Sequence, residues 1–545
     1  MAKNSKFVAV SLIVLAVGGV GAYLYFKGWP GKLTDPLETA QIIPEDALMA
    51  AFISPNPQAL AQLKQFGTPE VQQSIEQGLT SFKDETQANH AINLDNLSWI
   101  GGVMLAVMPA PEEVADSSPN LLAVIGIKDK LRAWYFLSQL KKEEGVTIAE
   151  QEYEGEKILS IEPESGNKYY ASMIGDYILM APEAELIQRA IDTQQGGASL
   201  VSQPAVQEVF SEGLNLENPV ATIFIADYAN TMQQLSNQPG TATTASSWKQ
   251  LENVESMLVG VGIDQQGIRS KILTSLKPGT VKAENRQNNS GESLKKFPEE
   301  TLLLINGQQI SQGWSQMTEM AQEAPEMKLG LDGIRQGLRG LNLDADREVF
   351  GWMDGEFAIG IIRSDQGNLA PLGFGGAILM ETSDRTTADA TLKKLEALMA
   401  GNPQLEIQTG NINNVAVTTW EVFPQGKVLG YGWQDQNSLV IAFGEPILSM
   451  MLNSSSNSLT GSKNFATIAG TLPTPNQGYF YLNMDQVLPL LERFLFAAPP
   501  PYQIPPDVVA TLKSMQGVGI TATWLNESTS QVETLFALKK TQDIE

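Results

Sequence analysis

The sequence predicts an α+β protein in which an N-terminal transmembrane helix precedes two tandem homologous repeats, each a mainly antiparallel sheet packed with helices. Three observations predict it. One uncharged apolar stretch lies near the start, strand-and-helix patterns recur in the same order in the two halves, and each half carries hairpin signals. The resulting organisation is an anchor at residues 1–27, a linker at 28–39, repeat 1 at 40–276, a polar linker at 277–296 and repeat 2 at 297–540. At 545 residues the chain is longer than one core usually fills, which fits two domains.

Residues 7–26 read FVAVSLIVLAVGGVGAYLYF. As a helix they would span roughly 30 Å, the hydrocarbon thickness of a bilayer. Lys3 and Lys6 precede the stretch, and Tyr23, Tyr25 and Trp29 stand near its far end, where aromatic rings favour the interface. Val20 and Ala22 also satisfy the small-residue rule for signal-peptidase cleavage, so a cleaved leader is the alternative. The short leading tail favours an inside N-terminus with the bulk of the chain extracytoplasmic.

Beyond the anchor the two halves run side by side. IIPEDALMAAFISPNPQALAQL around Pro44 and KFPEETLLLINGQQISQGWSQM around Pro298 each read as an acidic turn, a buried strand and a helix. INLDNLSWIGGVMLAVM from Ile92 answers LNLDADREVFGWMDGEFAIGI from Leu341, both placing a tryptophan before a glycine-led strand. LLAVIGIKDK at Leu121 answers GGAILMETSD at Gly375, and DYILMAPEAELIQRAID from Asp176 answers NSLVIAFGEPILSMMLN from Asn437. SLVSQPAVQEVF at Ser199 matches SLTGSKNFATIAG at Ser458. The closing strand pairs start at Met257 and Met515. About seven strands and three or four helices are predicted per repeat. Residues 47–53, 103–108 and 177–180 are near-continuous apolar runs, implying strong burial. Hairpins are predicted for 152–155 with 157–161 and for 259–264 with 268–273. KPGTVKAENRQNNSGESLKK, residues 277–296, has no apolar periodicity and reads as solvated. Pro499-Pro500-Pro501 and Pro505-Pro506 mark a stiff loop.

Composition removes whole classes of function. Lys plus Arg total 36 against 61 Asp plus Glu, a formal charge of −25, which argues against nucleic acid as a partner. There is no cysteine, so disulfides, thiolate metal sites and Cys nucleophiles are excluded. His90, among polar neighbours, is the one histidine and reads as a surface or capping residue. The alternating acids Asp344, Asp346 and Glu348 lack the glycine and distal glutamate of a calcium loop and read as helix capping before Trp352. Trp99 and Trp352 read as core anchors. Glu152, Glu154 and Glu156 alternate along the first hairpin and read as a solvated face. Gly373, Gly375 and Gly376 precede a strand, where a phosphate-binding turn would need a helix. Ser246–Lys249 and Ser293–Lys296 match a Ser-x-x-Lys spacing, but the Lys-Thr-Gly partner of penicillin-recognising enzymes is missing. The dispersed negative charge reads mainly as solubility. No catalytic, metal-binding or cofactor-binding residue is assigned, and no cofactor is expected.

INLDNLSWIGG and LNLDADREVFGWMDGE, together with the apolar leader and PEDALMAAFIS, resemble the cyanobacterial family known as domain of unknown function 3352. The resemblance covers almost the whole chain after the leader. In the second half Trp352 is followed by Met353-Asp354-Gly355, a departure from the Gly101-Gly102 of the first. The resemblance implies a membrane-associated protein of cyanobacterial type, in plasma or thylakoid membrane, and supplies no activity. The function expected is that of a non-enzymatic interaction or assembly module, tethered through the N-terminal helix and serving a membrane complex. Two alternatives stand beside it: a carrier or sensor of an apolar small molecule or lipid, and a carboxylate-dependent hydrolase.

Overall fold

The computed structural model describes residues 35–54, 56–73, 99–109, 120–140, 146–163, 168–203, 206, 214–231, 251–281, 286–322, 324–453, 457–493 and 504–543. The chain divides into two compact units. The first runs to Val281 and takes in Leu525–Gln531 and the residues from Lys540, and the second comprises Lys282–Trp524 and Val532–Lys539.

Among the described residues, ten strands arise in each half. The first ten are β1 (Met49–Ile53), β2 (Ile100–Met108), β3 (Asn120–Ile127), β4 (Val146–Tyr153), β5 (Glu156–Pro163), β6 (Tyr169–Ile174), β7 (Tyr177–Ala181), β8 (Pro219–Ala226), β9 (Val254–Ile263) and β10 (Gly267–Leu276). The second ten are β11 (Thr301–Gln308), β12 (Glu356–Arg363), β13 (Phe374–Glu381), β14 (Leu405–Ile412), β15 (Val415–Val422), β16 (Gly426–Trp433), β17 (Ser438–Phe443), β18 (Tyr479–Asn483), β19 (Met515–Trp524) and β20 (Thr529–Leu538). The first series is ordered β4-β5-β6-β7-β3-β2-β1-β8-β9-β10. The second is ordered β14-β15-β16-β17-β13-β12-β11-β18-β19-β20. The two orders coincide strand for strand, and so do the registers: Phe52 faces Met104 as Asn306 faces Ala358.

The predicted fold class needs correction. The described strands of each unit form an antiparallel sheet with helices, and the predicted N-terminal transmembrane helix is not supported. Among the described residues no helix is long and apolar enough to cross a membrane, and residues 7–26 lie outside them. The count of about seven strands per repeat also falls short. The terminal strands β4 (VTIAEQEY) and β14 (LEIQTGNI) are polar on both faces, so they lack the apolar run that signals a buried strand. Parts of both predicted linkers are structured. Pro36–Ala40 is helical with Thr39 buried, and Glu292–Lys295 is helical with Ser293 and Leu294 buried. Of the proline-rich loop, Pro506 opens the helix Pro506–Ser514, while residues 499–501 lie outside the described residues.

Each unit buries one face of its sheet under short helices. In the first, Leu186, Ile187, Ala190 and Ile191 of the helix Ala184–Gln194 join Met104, Leu122, Val124 and Leu179 in the main core. In the second, Ile447, Leu448 and Met451 of Glu445–Met451 and Phe465 and Ile468 of Lys463–Ile468 join Leu304, Ala358, Leu379 and Val440. The glycine cluster belongs to this packing. A Cβ at Gly375 would sit 2.6 Å from Ile447 Cγ1, so the residue admits a helix close to its strand. The first unit is closed by residues distant in sequence: Thr541 N donates to Gln65 O at 2.9 Å, and Gln72 Nε2 donates to Thr541 Oγ1 at 3.1 Å.

Candidate functional site

The opposite, outer face differs between the units. In β2, IGGVMLAVM, every residue is buried, as a strand packed on both sides requires. Its counterpart β12, EFAIGIIR, alternates between buried and partly or fully exposed positions. The exposed positions of a one-sided strand normally carry polar side chains; here they include Ile359 and Ile361, 42% and 37% exposed. Register carries the pattern sideways. One row runs Ile520, Phe480, Ile305, Ile359, Ile378, Ile441, and the next runs Val518, Leu482, Leu303, Ile361, Gly376, Phe443. Neither row contains a charge. The helix Arg385–Met399 covers one end, where Ala388 and Leu392 pack with Ile378, Ile441 and Leu439. Beyond it Ile305 and Phe443 stand 44% and 46% exposed.

A polar cluster occupies one end of the second unit's inner face. Glu356 opens β12 and lies across from Glu381, which closes β13, on the same face of neighbouring strands. Glu356 is buried and accepts hydrogen bonds from Ser290 Oγ, Ser293 Oγ and Ser293 N, the last at 2.9 Å. Asn306 Nδ2 approaches it at 3.5 Å, while Asn306 Oδ1 accepts from Tyr479 N at 2.7 Å. Lys296 Nζ donates to Ser438 Oγ at 2.6 Å, Asp435 Oδ2 at 3.1 Å and Glu381 Oε1 at 3.4 Å. Burial pushes the Glu381 carboxyl up, aided by Glu356 and Asp435 and opposed by Lys296. Burial alone would raise Asp435 as well, but hydrogen bonds from Asn437, Ser438 and Lys296 outweigh it and bring that carboxyl down to about 2. Both Glu356 oxygens are occupied by protein donors. The cluster therefore acts as a clamp that draws the predicted linker residues 290–296 onto the sheet.

The residues singled out in the sequence fall elsewhere. Asp344 caps the short helix Ala345–Val349, accepting from the Asp346 and Arg347 N–H groups, each at 3.0 Å. Those bonds, the Arg347 N–H first, hold its carboxyl below the usual range. Asp346 is lowered by Arg335 and also accepts from Trp314 Nε1 at 2.6 Å. Glu348 is lowered by Lys394 and accepts a hydrogen bond from Asp344 N at 2.9 Å. Trp99 and Trp352 are buried. Glu152, Glu154 and Glu156 do not share one strand: Glu152 is the penultimate residue of β4, Glu154 sits in the turn at positive φ, and Glu156 begins β5. Gly373 turns at φ +81° ahead of β13. His90 and Ser246–Lys249 lie outside the described residues. Of the Ser-x-x-Lys pairs, Ser293 and Lys296 both join the clamp, through separate carboxylates and not through each other. Sequence reading missed Glu356 and Glu381. The available signal was a glutamate at each end of an apolar strand pair where the first half has glycine.

In the first unit a void of about 10 Å³ touches Ala50, Phe52, Met104, Leu200 and Phe224, room for about one water and none for a lipid. A more open cleft of about 220 Å³ in the second is lined by Glu299, Ser462, Lys463, Asn464 and Gln486. Among the described residues no group of three or more His, Asp or Glu side chains is placed to hold a metal ion.

Residues 7–538 match the family described as Protein of unknown function (DUF3352). The chain belongs to this family. The match spans both units of this DUF3352 chain, and the description carries no activity. No curated protein matches. Solved structures of TP0453 in crystal forms III, IV and I align with 46%, 44% and 47% of the chain and with 84%, 81% and 84% of their own. Identities are 11%, 11% and 9%, and the TM-score is 0.26 throughout, too low to carry any argument.

Proposed function

We propose that this protein is a non-enzymatic interaction module and that its second unit docks partners on the outer face of its sheet. The observation that carries the reading is the pair of uncharged rows crossing β18, β11, β12 and β17, with Ile305, Ile359, Ile361 and Phe443 open to solvent. Covering those four side chains would remove roughly 300 Å² of apolar surface from water, worth on the order of 8 kcal/mol before the costs of association. A contiguous patch of that size matches the largest apolar patch of a typical monomer, which is often a functional one. The clamp around Glu356 supports the same reading, because its carboxylate oxygens are committed to serines of the chain itself.

Affinity capture with the full-length chain tests it, with Ile361→Lys as the paired control. The expected result is a partner retained by the wild-type chain and lost by the variant, with both chains showing the same thermal midpoint. Identical captured sets, or none from either, would overturn the reading.

A further inference from the structure

Resting on that reading, we propose that the outer face of the second unit receives an amphipathic α-helix from another protein, apolar on one side and basic along its flanks.

The first argument is continuity. The same rows already accept a helix one strand further on, where Ala388 and Leu392 of Arg385–Met399 lie over Ile378 and Ile441. The first unit repeats the arrangement: Ala133 of Lys130–Leu140 packs with Leu105, Ala123 and Ile178 at the corresponding register. A helix is thus the element this face takes in both units. Its next stretch presents the same chemistry with Ile305, Ile359, Ile361 and Phe443 exposed.

Dimensions agree. Residues two apart on one strand are roughly 7 Å apart, so two adjacent rows match the apolar stripe of one helix about 10 Å across. A second copy of this chain is a poorer fit. A stable interface buries about 800 Å² per partner, well above the roughly 300 Å² these side chains offer. Two copies each of formal charge −25 would also repel. That same charge attracts a helix with Lys or Arg on its polar side and repels an acidic one.

The test uses the full-length chain and a fluorescein-labelled 18-residue Leu/Lys peptide with leucines at helical i, i+3, i+4, i+7 spacing, read by anisotropy. Micromolar binding is expected, weakened at least tenfold by Ile359→Lys and at least tenfold when Glu replaces Lys in the peptide. Ile305→Thr provides a second, milder variant should the first misfold by circular dichroism, and a three- to fivefold loss is expected from it. Equal binding by wild type and both folded variants, or equal binding of a sequence-scrambled peptide, would overturn the proposal. So would sedimentation showing a dimer that Ile359→Lys dissociates, or flotation with phosphatidylcholine vesicles that Ile359→Lys abolishes. Failure here alongside a partner still captured in an Ile361-dependent way would remove the helix as occupant and leave the interaction module standing; failure of both would remove both.

Discussion

At matched register the two units of this protein make opposite choices at the same end of the inner face. Where the second holds Lys296, Asn306, Glu356, Glu381 and Ser438, the first holds Ile42, Phe52, Gly102, Gly126 and Tyr177. Ile42 and Phe52 are 3% exposed, so the first unit closes this end with packed apolar side chains. The second closes it with a carboxylate surrounded by hydroxyl and amide donors and a lysine shared among Glu381, Asp435 and Ser438. One backbone thus tolerates either solution, provided each is complete: a buried carboxylate needs its donors, and an apolar plug needs no charge near it.

The largest effect should come from mixing the two solutions. Gly102→Glu would place a carboxylate in the first unit without the serines that receive Glu356. It is expected to cost at least about 3–5 kcal/mol in urea unfolding, the range for an uncompensated buried charge. The reverse error, Glu356→Ala, takes from the buried Ser293 hydroxyl and N–H the carboxylate they donate to and should cost about 3 kcal/mol. Glu356→Gln keeps the shape and some acceptors and should recover about half of that loss. A smaller and pH-dependent effect is expected of Lys296→Met, which imitates Ile42: about 1 kcal/mol at pH 7. Asp435 is held below its ordinary value in the folded chain, so its contribution is present above about pH 4 and is lost as pH falls toward 2. Glu381 is raised, so it opposes folding increasingly as pH rises from about 4.5 through its folded value. The gap between wild type and Lys296→Met should therefore begin to narrow below about pH 4 and close as pH falls toward 2. A gap that stays constant from pH 7 to 2 would show that Lys296 contributes by packing and not by charge.

How much of this was legible depended on which physical signal a segment carried. Apolar runs such as GVMLAVM and LLAVIGI announced β2 and β3, and the glycine-bearing turns announced the hairpins β4–β5 and β9–β10. The polar strands β4 and β14 carry turn chemistry at one end and little periodicity along their length, so counting from apolar runs underestimates the sheet. The clamp was hidden for a different reason. Residues 286–296 are polar, and polarity reads as solvation until the tertiary fold supplies a buried acceptor such as Glu356. The outer face was hidden because β12 has the same apolar composition as a strand buried on both sides. Only the packing reveals that one side of it stays open.

The bonds from Thr541 to Gln65 and Gly67 link positions up to 476 residues apart. During synthesis the first unit must wait for nearly everything after it to be translated before its own edge is sealed, so the half that emerges first from the ribosome is the half completed last. Nascent chains arrested after residue 300 should accordingly expose residues 65–72 to proteases that the finished protein resists.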